Sequence, residues 1–190
     1  MERRVLDRMT GLFALTAVCT AAGSVLAALY PDWHLWQGLL YRQGMGLLPD
    51  GRLLTGVLMI PLVYLAVLFL LGLSAWGEAG VLLLLLRGTV LGGVLTLLYR
   101  TGGAAGVLTA VLFVVPYACA AALVQSYATL TAGQSTRCVR RRLAGEGEPP
   151  VLRAYALRFA VCAGLLAVLG LVQCAWLHLA YPAFLDVMTQ

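Results

Sequence analysis

The stretch Ala79–Tyr99 reads AGVLLLLLRGTVLGGVLTLLY, an apolar segment that a charge interrupts once, at Arg87. It is one of five apolar runs, which are Gly11–Tyr30, Leu53–Leu73, Ala79–Tyr99, Ala104–Tyr127 and Phe159–Leu179. Each has about 20 residues or more, the length that an α-helix needs to cross roughly 30 Å of hydrocarbon. A soluble domain of 190 residues cannot bury five such segments. The sequence therefore predicts an all-α membrane bundle of five transmembrane helices that forms one domain, 1–190.

The composition points the same way. The chain is 62% hydrophobic and 11% charged, with a mean hydropathy of +0.91 and a net charge of +5. All of its basic residues are arginines, and most of them flank the apolar runs. Arginines in these positions favour contact with an anionic lipid leaflet. We therefore expect the lipid bilayer, and not a nucleic acid, to be the partner of this charge.

The arginines also predict an orientation. They concentrate at the N-terminus and between the fourth and fifth runs (Arg3, Arg4 and Arg8; Arg137, Arg140, Arg141, Arg142 and Arg153). The positive-inside rule places both clusters in the cytoplasm. Five spans then put the C-terminus and the loop Pro31–Arg52 outside. The first run, with its basic start, is expected to be an uncleaved signal-anchor helix.

Arg87 lies near the predicted bilayer midplane and is followed by the small-residue pair Gly88 and Gly92. A charge at that depth costs about 2.5–3.5 kcal/mol on insertion scales, so it is expected to face the bundle interior and find a polar partner. The candidate partners are Gln125, Gln173, Glu78 and backbone carbonyls freed near Pro116. In the alternative, the side chain snorkels to the cytoplasmic interface. The sequence leaves both readings open.

Two further features concern helix packing. Pro116 lies near the middle of the fourth run, where it predicts a kink whose freed carbonyl a neighbouring group must satisfy. In the first run, Thr20, Ser24 and Ala28 form a stripe of small residues four positions apart. Such a stripe lets another helix approach closely, but the sequence does not say which helix.

The outer loop supplies a candidate partner surface. Trp33, Trp36 and Leu40 recur on one face of a predicted short helix, with Tyr41 beside them. Such aromatic residues suit a helix that lies in the headgroup region, and they equally suit a docking face for an extracytoplasmic partner. Tyr181, beyond the last run, is expected to contribute to the same surface.

The sequence predicts that the chain is not an enzyme. His34 and His178 are its two histidines, the carboxylates lie outside the runs or at their ends, and no metalloprotease, nucleophile-elbow or P-loop motif is present. The five cysteines form no CxxC pair, and four of them lie within predicted spans. No catalytic residue, cofactor or metal is therefore expected.

The order of the segments resembles the stage II sporulation protein M family. The similarity covers roughly Leu53 to Pro182 and begins with a turn of the L-G-L-S-x-x-G type, seen here as Gly72-Leu-Ser74-Ala-Trp-Gly77. The matching segments that follow are Leu82–Gly92, with its arginine and glycines; the turn glycines Gly102, Gly103 and Gly106; Val114-Val115-Pro116; the basic stretch Arg137–Arg142; and Tyr181-Pro182. The chain departs from the family at Tyr117 and Ala118, where polar residues are usual, and at Gln173–Trp176, where an acidic residue often stands.

The resemblance implies a role in endospore formation. Members of that family act in the mother-cell membrane around the forespore, where they anchor and localise peptidoglycan-degrading partners during septal thinning and engulfment. It therefore implies a non-catalytic scaffold. The alternative is a subunit of a small transporter or channel with a polar path near Arg87 and Pro116. Formation of a homo-oligomer is left open.

Overall fold

A computed structural model of the chain describes residues 2–30, 55–74, 76–145 and 152–188. Within those ranges it is all-helical, with no strand. The helices are α1 (Glu2–Leu29), α2 (Ile60–Leu73), α3 (Ala79–Thr109), α4 (Val115–Leu143) and α5 (Leu152–Met188). Short π-helical turns, Thr55–Met59 and Ala110–Val114, lead directly into α2 and α4.

Four stretches of helix are long and apolar enough to cross a membrane, namely Asp7–Leu29, Ala79–Arg100, Gly102–Leu143 and Leu152–Ala180. The apolar helix Val57–Leu73 is shorter. Large apolar side chains such as Val18, Leu82 and Leu165 lie on the outside of the bundle, as expected where lipid is the solvent. The expected all-helical membrane class is confirmed, with four to five helices that could span. The exact number of spans and their orientation stay predictions.

The third and fourth runs are separated by a sharp bend at Gly103. Its φ of 54° and ψ of −132° are non-helical, and a positive φ is readily adopted by glycine because it has no Cβ. After the bend the chain folds back so tightly that a Cβ on Gly106 would overlap the carbonyl of Leu98. The glycine-rich turn of the sequence therefore makes a close helical hairpin.

Helix α1 packs along α3, which identifies the neighbour of its small-residue stripe. A Cβ on Gly88 would lie 2.8 Å from the Thr16 carbonyl oxygen, and one on Gly92 would overlap the Thr20 carbonyl. The Ser24 hydroxyl donates to the Gly92 carbonyl at 3.0 Å. Thr16 of α1 contacts Gly88 of α3, and Thr20 contacts Gly92 one turn further along both helices, so α1 and α3 run parallel. We call this contact the α1–α3 seam.

A second core joins α2, α4 and α5. Phe69 of α2 stacks on Tyr155 of α5, with ring centroids 5.1 Å apart, and Phe159 completes the aromatic group at 5.3 Å from Phe69 and 4.8 Å from Tyr155. The fully buried Leu68 and Leu166 belong to the same core. Aromatic contacts of this kind hold α2, the shortest helix, against its neighbours.

Candidate functional site

Arg87 lies one position before Gly88, so the α1–α3 seam fixes the part of α3 that carries it. Its guanidinium turns towards α2, where Cζ lies 5.6 Å from the centroid of the Tyr64 ring. Its Nη1 atom is buried and has no hydrogen-bond partner among the described residues. This contact is compatible with the inward alternative of the two that the sequence left open. A cation over an aromatic face is stabilised by about 0.5–2 kcal/mol, which is less than the cost of burying the charge.

The partners that the sequence suggested for Arg87 are engaged elsewhere or unpaired. Glu78 lies 3.6 Å from Arg140 in an exposed ion pair at the end of the bundle. The amide of Gln173 donates to the backbone carbonyl of Phe113. Gln125 is fully buried, and neither its amide nitrogen nor its amide oxygen has a hydrogen-bond partner among the residues that the structure describes. Arg87 instead lies near Tyr64 and Tyr117, which the sequence did not suggest as its partners.

Four residues, Tyr64, Arg87, Gln125 and Ser126, carry buried side-chain atoms with no hydrogen-bond partner among the described residues, and we call them the buried polar residues. Besides the atoms of Arg87 and Gln125, the Tyr64 hydroxyl and the Ser126 hydroxyl are buried without a partner in the described part of the chain. Tyr64 also lies beside Thr129, whose hydroxyl donates to the Gln125 carbonyl at 2.8 Å. Tyr64 thus links Arg87 on α3 to the Gln125–Thr129 turn of α4.

Side chains from other helices bond backbone carbonyls near two prolines. Pro61 cannot donate to the carbonyl four residues earlier, that of Val57. The hydroxyl of Tyr117 donates to this carbonyl at 2.6 Å. Pro116 follows the second π-helical turn, and Gln173 reaches the Phe113 carbonyl within that turn. The carbonyl four residues before Pro116 is that of Leu112, so the expected partner of that carbonyl stays a prediction. No sequence signal pointed to the link between Pro61 and Tyr117.

Pro116 also lines a groove between α4 and α5 with a volume of about 390 Å³. Its walls are mostly apolar, and its polar groups come from Tyr117 and Gln173. Trp176 closes one side, and its ring lies 6.1 Å from that of Phe113. The groove is partly open and suits an apolar chain better than a hydrated solute.

The L-G-L-S turn owes its residue types to close packing. A Cβ on Gly72 would overlap the Tyr155 hydroxyl and lie 2.9 Å from the Ala132 Cα, and one on Gly77 would overlap the Thr136 hydroxyl. Ser74 closes the turn, because its hydroxyl donates to the Leu71 carbonyl at 2.7 Å and accepts from the Trp76 amide at 3.1 Å.

Three side chains from other helices hold α2 along its length, and we call them the α2 clamps. Tyr117 bonds the Val57 carbonyl at one end. Tyr155 donates to the Phe69 carbonyl at 2.9 Å, and Thr136 donates to the Ser74 carbonyl at 3.1 Å. All three hydroxyls bond backbone carbonyls, so these three contacts do not involve the side chains of α2 itself.

The candidate partner surface cannot be assembled from the described residues. Trp33, Trp36 and Tyr41 lie outside them, and Tyr181 lies within α5. No group of three or more potential metal ligands comes together in the part of the chain that the structure describes.

Fold and site together define an all-helical protein with four to five helices able to span a membrane and with buried polar residues on three of them. Comparison with protein-family models, curated proteins and solved structures finds no match. The resemblance to the sporulation family therefore rests on the order of the segments and on the residues quoted for it.

Proposed function

We propose that this chain is a non-catalytic membrane scaffold in endospore formation, which anchors and localises peptidoglycan-degrading partners during septal thinning and engulfment. Its place is then the mother-cell membrane around the forespore. The resemblance supplies the process, the location and the class of partner. The structure adds a reason to favour a static role.

The observation that carries the proposal is the way in which the helices are fixed. The α1–α3 seam brings backbone against backbone at Gly88 and Gly92, and the α2 clamps join that helix to α4 and α5. Alternating access needs one group of helices to rock against another. Such a motion would break the clamps of α2 or separate the seam. A fixed bundle suits a platform on which other proteins assemble.

The proposal predicts which proteins accompany the chain. In a sporulating bacterium, the tagged chain cross-linked during engulfment should recover peptidoglycan-degrading proteins that face the outside of the mother-cell membrane. Changing Trp33 and Trp36 together to Ser should reduce this recovery and leave membrane insertion intact. The matched control is Trp76→Ser, which removes a tryptophan that is 74% exposed in the turn between α2 and α3; recovery should be unchanged.

Two results would count against this assignment. Recovery of no cell-wall hydrolase from engulfing cells would remove the scaffold role. Recovery that survives the double tryptophan change, yet is lost when Arg140–Arg142 are neutralised with topology unaltered, would move the contact surface to the cytoplasmic side.

The second candidate is a transporter or channel subunit, and the buried polar residues favour it. Unpartnered polar atoms inside a membrane bundle are typical of hydrated or substrate-bound paths. A measurement of ion flux distinguishes the scaffold from the transporter or channel subunit. Proteoliposomes that contain the chain should be no more permeable to small ions than empty vesicles if it is a scaffold. A permeability that depends on Arg87 would establish the transport role.

A further inference from the structure

We propose that the outward face of α5, over its first two turns and the apolar residues that follow them, binds one anionic phospholipid. Arg153 and Arg158 share its phosphate, and one acyl chain lies along the exposed apolar side chains of the helix. The site is separate from the scaffold role, because lipid binding and recruitment of protein partners are different measurements.

Contacts with α2 fix the rotation of α5 about its own axis. The Tyr155 hydroxyl donates to the Phe69 carbonyl at 2.9 Å, and the Phe159 ring lies 5.3 Å from the Phe69 ring. Tyr155 and Phe159 are both buried, so the remaining surface of α5 is turned away from α2. Arg153 and Arg158 lie on this remaining surface, and both are exposed.

The two arginines lie where α5 passes from hydrocarbon to lipid headgroups. The 21 residues Phe159–Leu179 contain no Asp, Glu, Lys or Arg. At 1.5 Å per residue they extend about 31 Å, close to the thickness of the hydrocarbon core. Arg158 directly precedes this segment, and Arg153 lies about 7.5 Å further out along the helix axis. Exposed guanidinium groups at this depth are at the level of the lipid phosphates.

An apolar stripe continues from the arginines along the same face. Its members are exposed side chains spaced three or four positions apart, namely Leu157, Val161, Leu165 and Val168. Five residues correspond to about 140° of helix rotation, which places Arg153 on one side of the stripe and Arg158 on the other. The residue at the top of the stripe is Ala154, which is small and exposed.

This arrangement matches the shape of a phospholipid. The long side chains of Arg153 and Arg158 can turn towards one phosphate above Ala154, where two guanidinium groups suit phosphate oxygens. From Arg158 to Val168 the stripe extends about 15 Å, roughly half of the hydrocarbon core and therefore the depth of one leaflet. One lipid molecule can contact the charged and the apolar part together.

The charge of this part of the chain favours an anionic lipid over a zwitterionic one. Residues 137–158 contain six arginines and two carboxylates, Glu146 and Glu148. The neighbouring Glu78 lies 3.6 Å from Arg140. If each of these three carboxylates neutralises one arginine, three positive charges still remain, whichever arginines are paired. The N-terminal segment 2–8 also has more arginines than carboxylates, so it does not supply the missing negative charge.

Native mass spectrometry of the full-length chain in detergent measures the binding. Phosphatidylglycerol should form a saturable adduct of one lipid, and phosphatidylcholine with the same acyl chains should bind more weakly. Arg158→Gln should weaken the phosphatidylglycerol adduct at least about fivefold, equivalent to about 1 kcal/mol. The matched control is Arg100→Gln, which removes the same charge from an exposed position at the end of the span Ala79–Arg100. Its adduct should equal that of the wild type.

Three further arms distinguish a lipid site from a general attraction to positive charge. Arg153→Gln should weaken the adduct as Arg158→Gln does, and it gives a second measurement if one variant does not fold. Arg141→Gln, which removes an exposed charge from the end of α4, should weaken it less. Inorganic phosphate should not displace the lipid, because it cannot contact the apolar stripe. Equal binding of the two lipids, equal losses in Arg158→Gln and Arg141→Gln, or displacement by inorganic phosphate would overturn the proposal.

Discussion

Gly92→Ala tests whether backbone contact at the α1–α3 seam holds the bundle together. A methyl group at this position would overlap the Thr20 carbonyl and lie 2.8 Å from the Ser24 amide nitrogen. Because both obstacles are backbone atoms, no rotamer change relieves the clash, and the helices must separate by about 1 Å or more. Separation stretches the hydrogen bond from Ser24 to Gly92 and the one from Thr96 to the Ser24 carbonyl at 3.2 Å.

The expected magnitude follows from these terms. Overpacking costs about 1–3 kcal/mol, and two inter-helix hydrogen bonds in a membrane contribute about 0.6 kcal/mol each. Alanine returns up to about 1 kcal/mol through its higher helix propensity. The net loss of unfolding free energy is about 1–3 kcal/mol. Gly164→Ala is the matched control, because a Cβ there meets no atom within 4 Å.

Reversible unfolding in mixed micelles, followed by circular dichroism, measures the difference between the two variants. Gly164→Ala should be as stable as the wild type or slightly more stable, and Gly92→Ala should unfold at lower denaturant. Equal stability of the two variants would show that α1 and α3 can separate at Gly92 without a loss of unfolding free energy. The reasoning from close backbone approach would then be wrong.

Three other outcomes are expected. Tyr117→Phe, which removes one clamp of α2, should lower the unfolding free energy by about 0.6–1.7 kcal/mol. Tyr127→Phe is the control, because the Tyr127 hydroxyl has no hydrogen bond to a described residue, and it should lower the unfolding free energy less. Equal effects of the two variants would contradict the role of Tyr117 as a clamp. Glu78→Gln should lower the unfolding free energy by less than about 1 kcal/mol, because the Glu78–Arg140 ion pair is exposed. A larger loss in the same unfolding assay would contradict this expectation. Single cysteines at Gln134 and Gly38 in a cysteine-free chain should react with a membrane-impermeant thiol reagent from opposite sides; labelling of both from outside would refute the predicted orientation.

Part of the site was visible in the sequence. The depth of Arg87 within an apolar run left two alternatives, a side chain inside the bundle and one that snorkels, and Gly88 and Gly92 predicted a close helix contact. Pro116 predicted a backbone carbonyl without its helical hydrogen bond. Each of these statements follows from the chain's local composition and the cost of polar groups in lipid, so none requires knowledge of which helices are neighbours.

The partners in these contacts could not be predicted in the same way. The small-residue stripe of α1 is compatible with any helix that has a flat face, and only the fold assigns it to α3. Tyr64, one of several tyrosines near a run, becomes the companion of Arg87 because α2 packs beside it. The clamp from Tyr117 joins residues 60 positions apart. The local sequence pattern of neither segment predicts this contact.

The sequence by itself determined the class of the protein, because the cost of exposing backbone to hydrocarbon forces long apolar runs into helices whatever their neighbours. The tertiary structure decided which polar groups meet inside the bundle. In lipid, apolar side chains gain little from choosing one helix neighbour over another, so the arrangement is selected by close packing of small residues and by inter-helix hydrogen bonds. These contacts depend on the positions of two helices at once. They bring Arg87 of α3 over the Tyr64 ring of α2, a contact that neither apolar run could show alone.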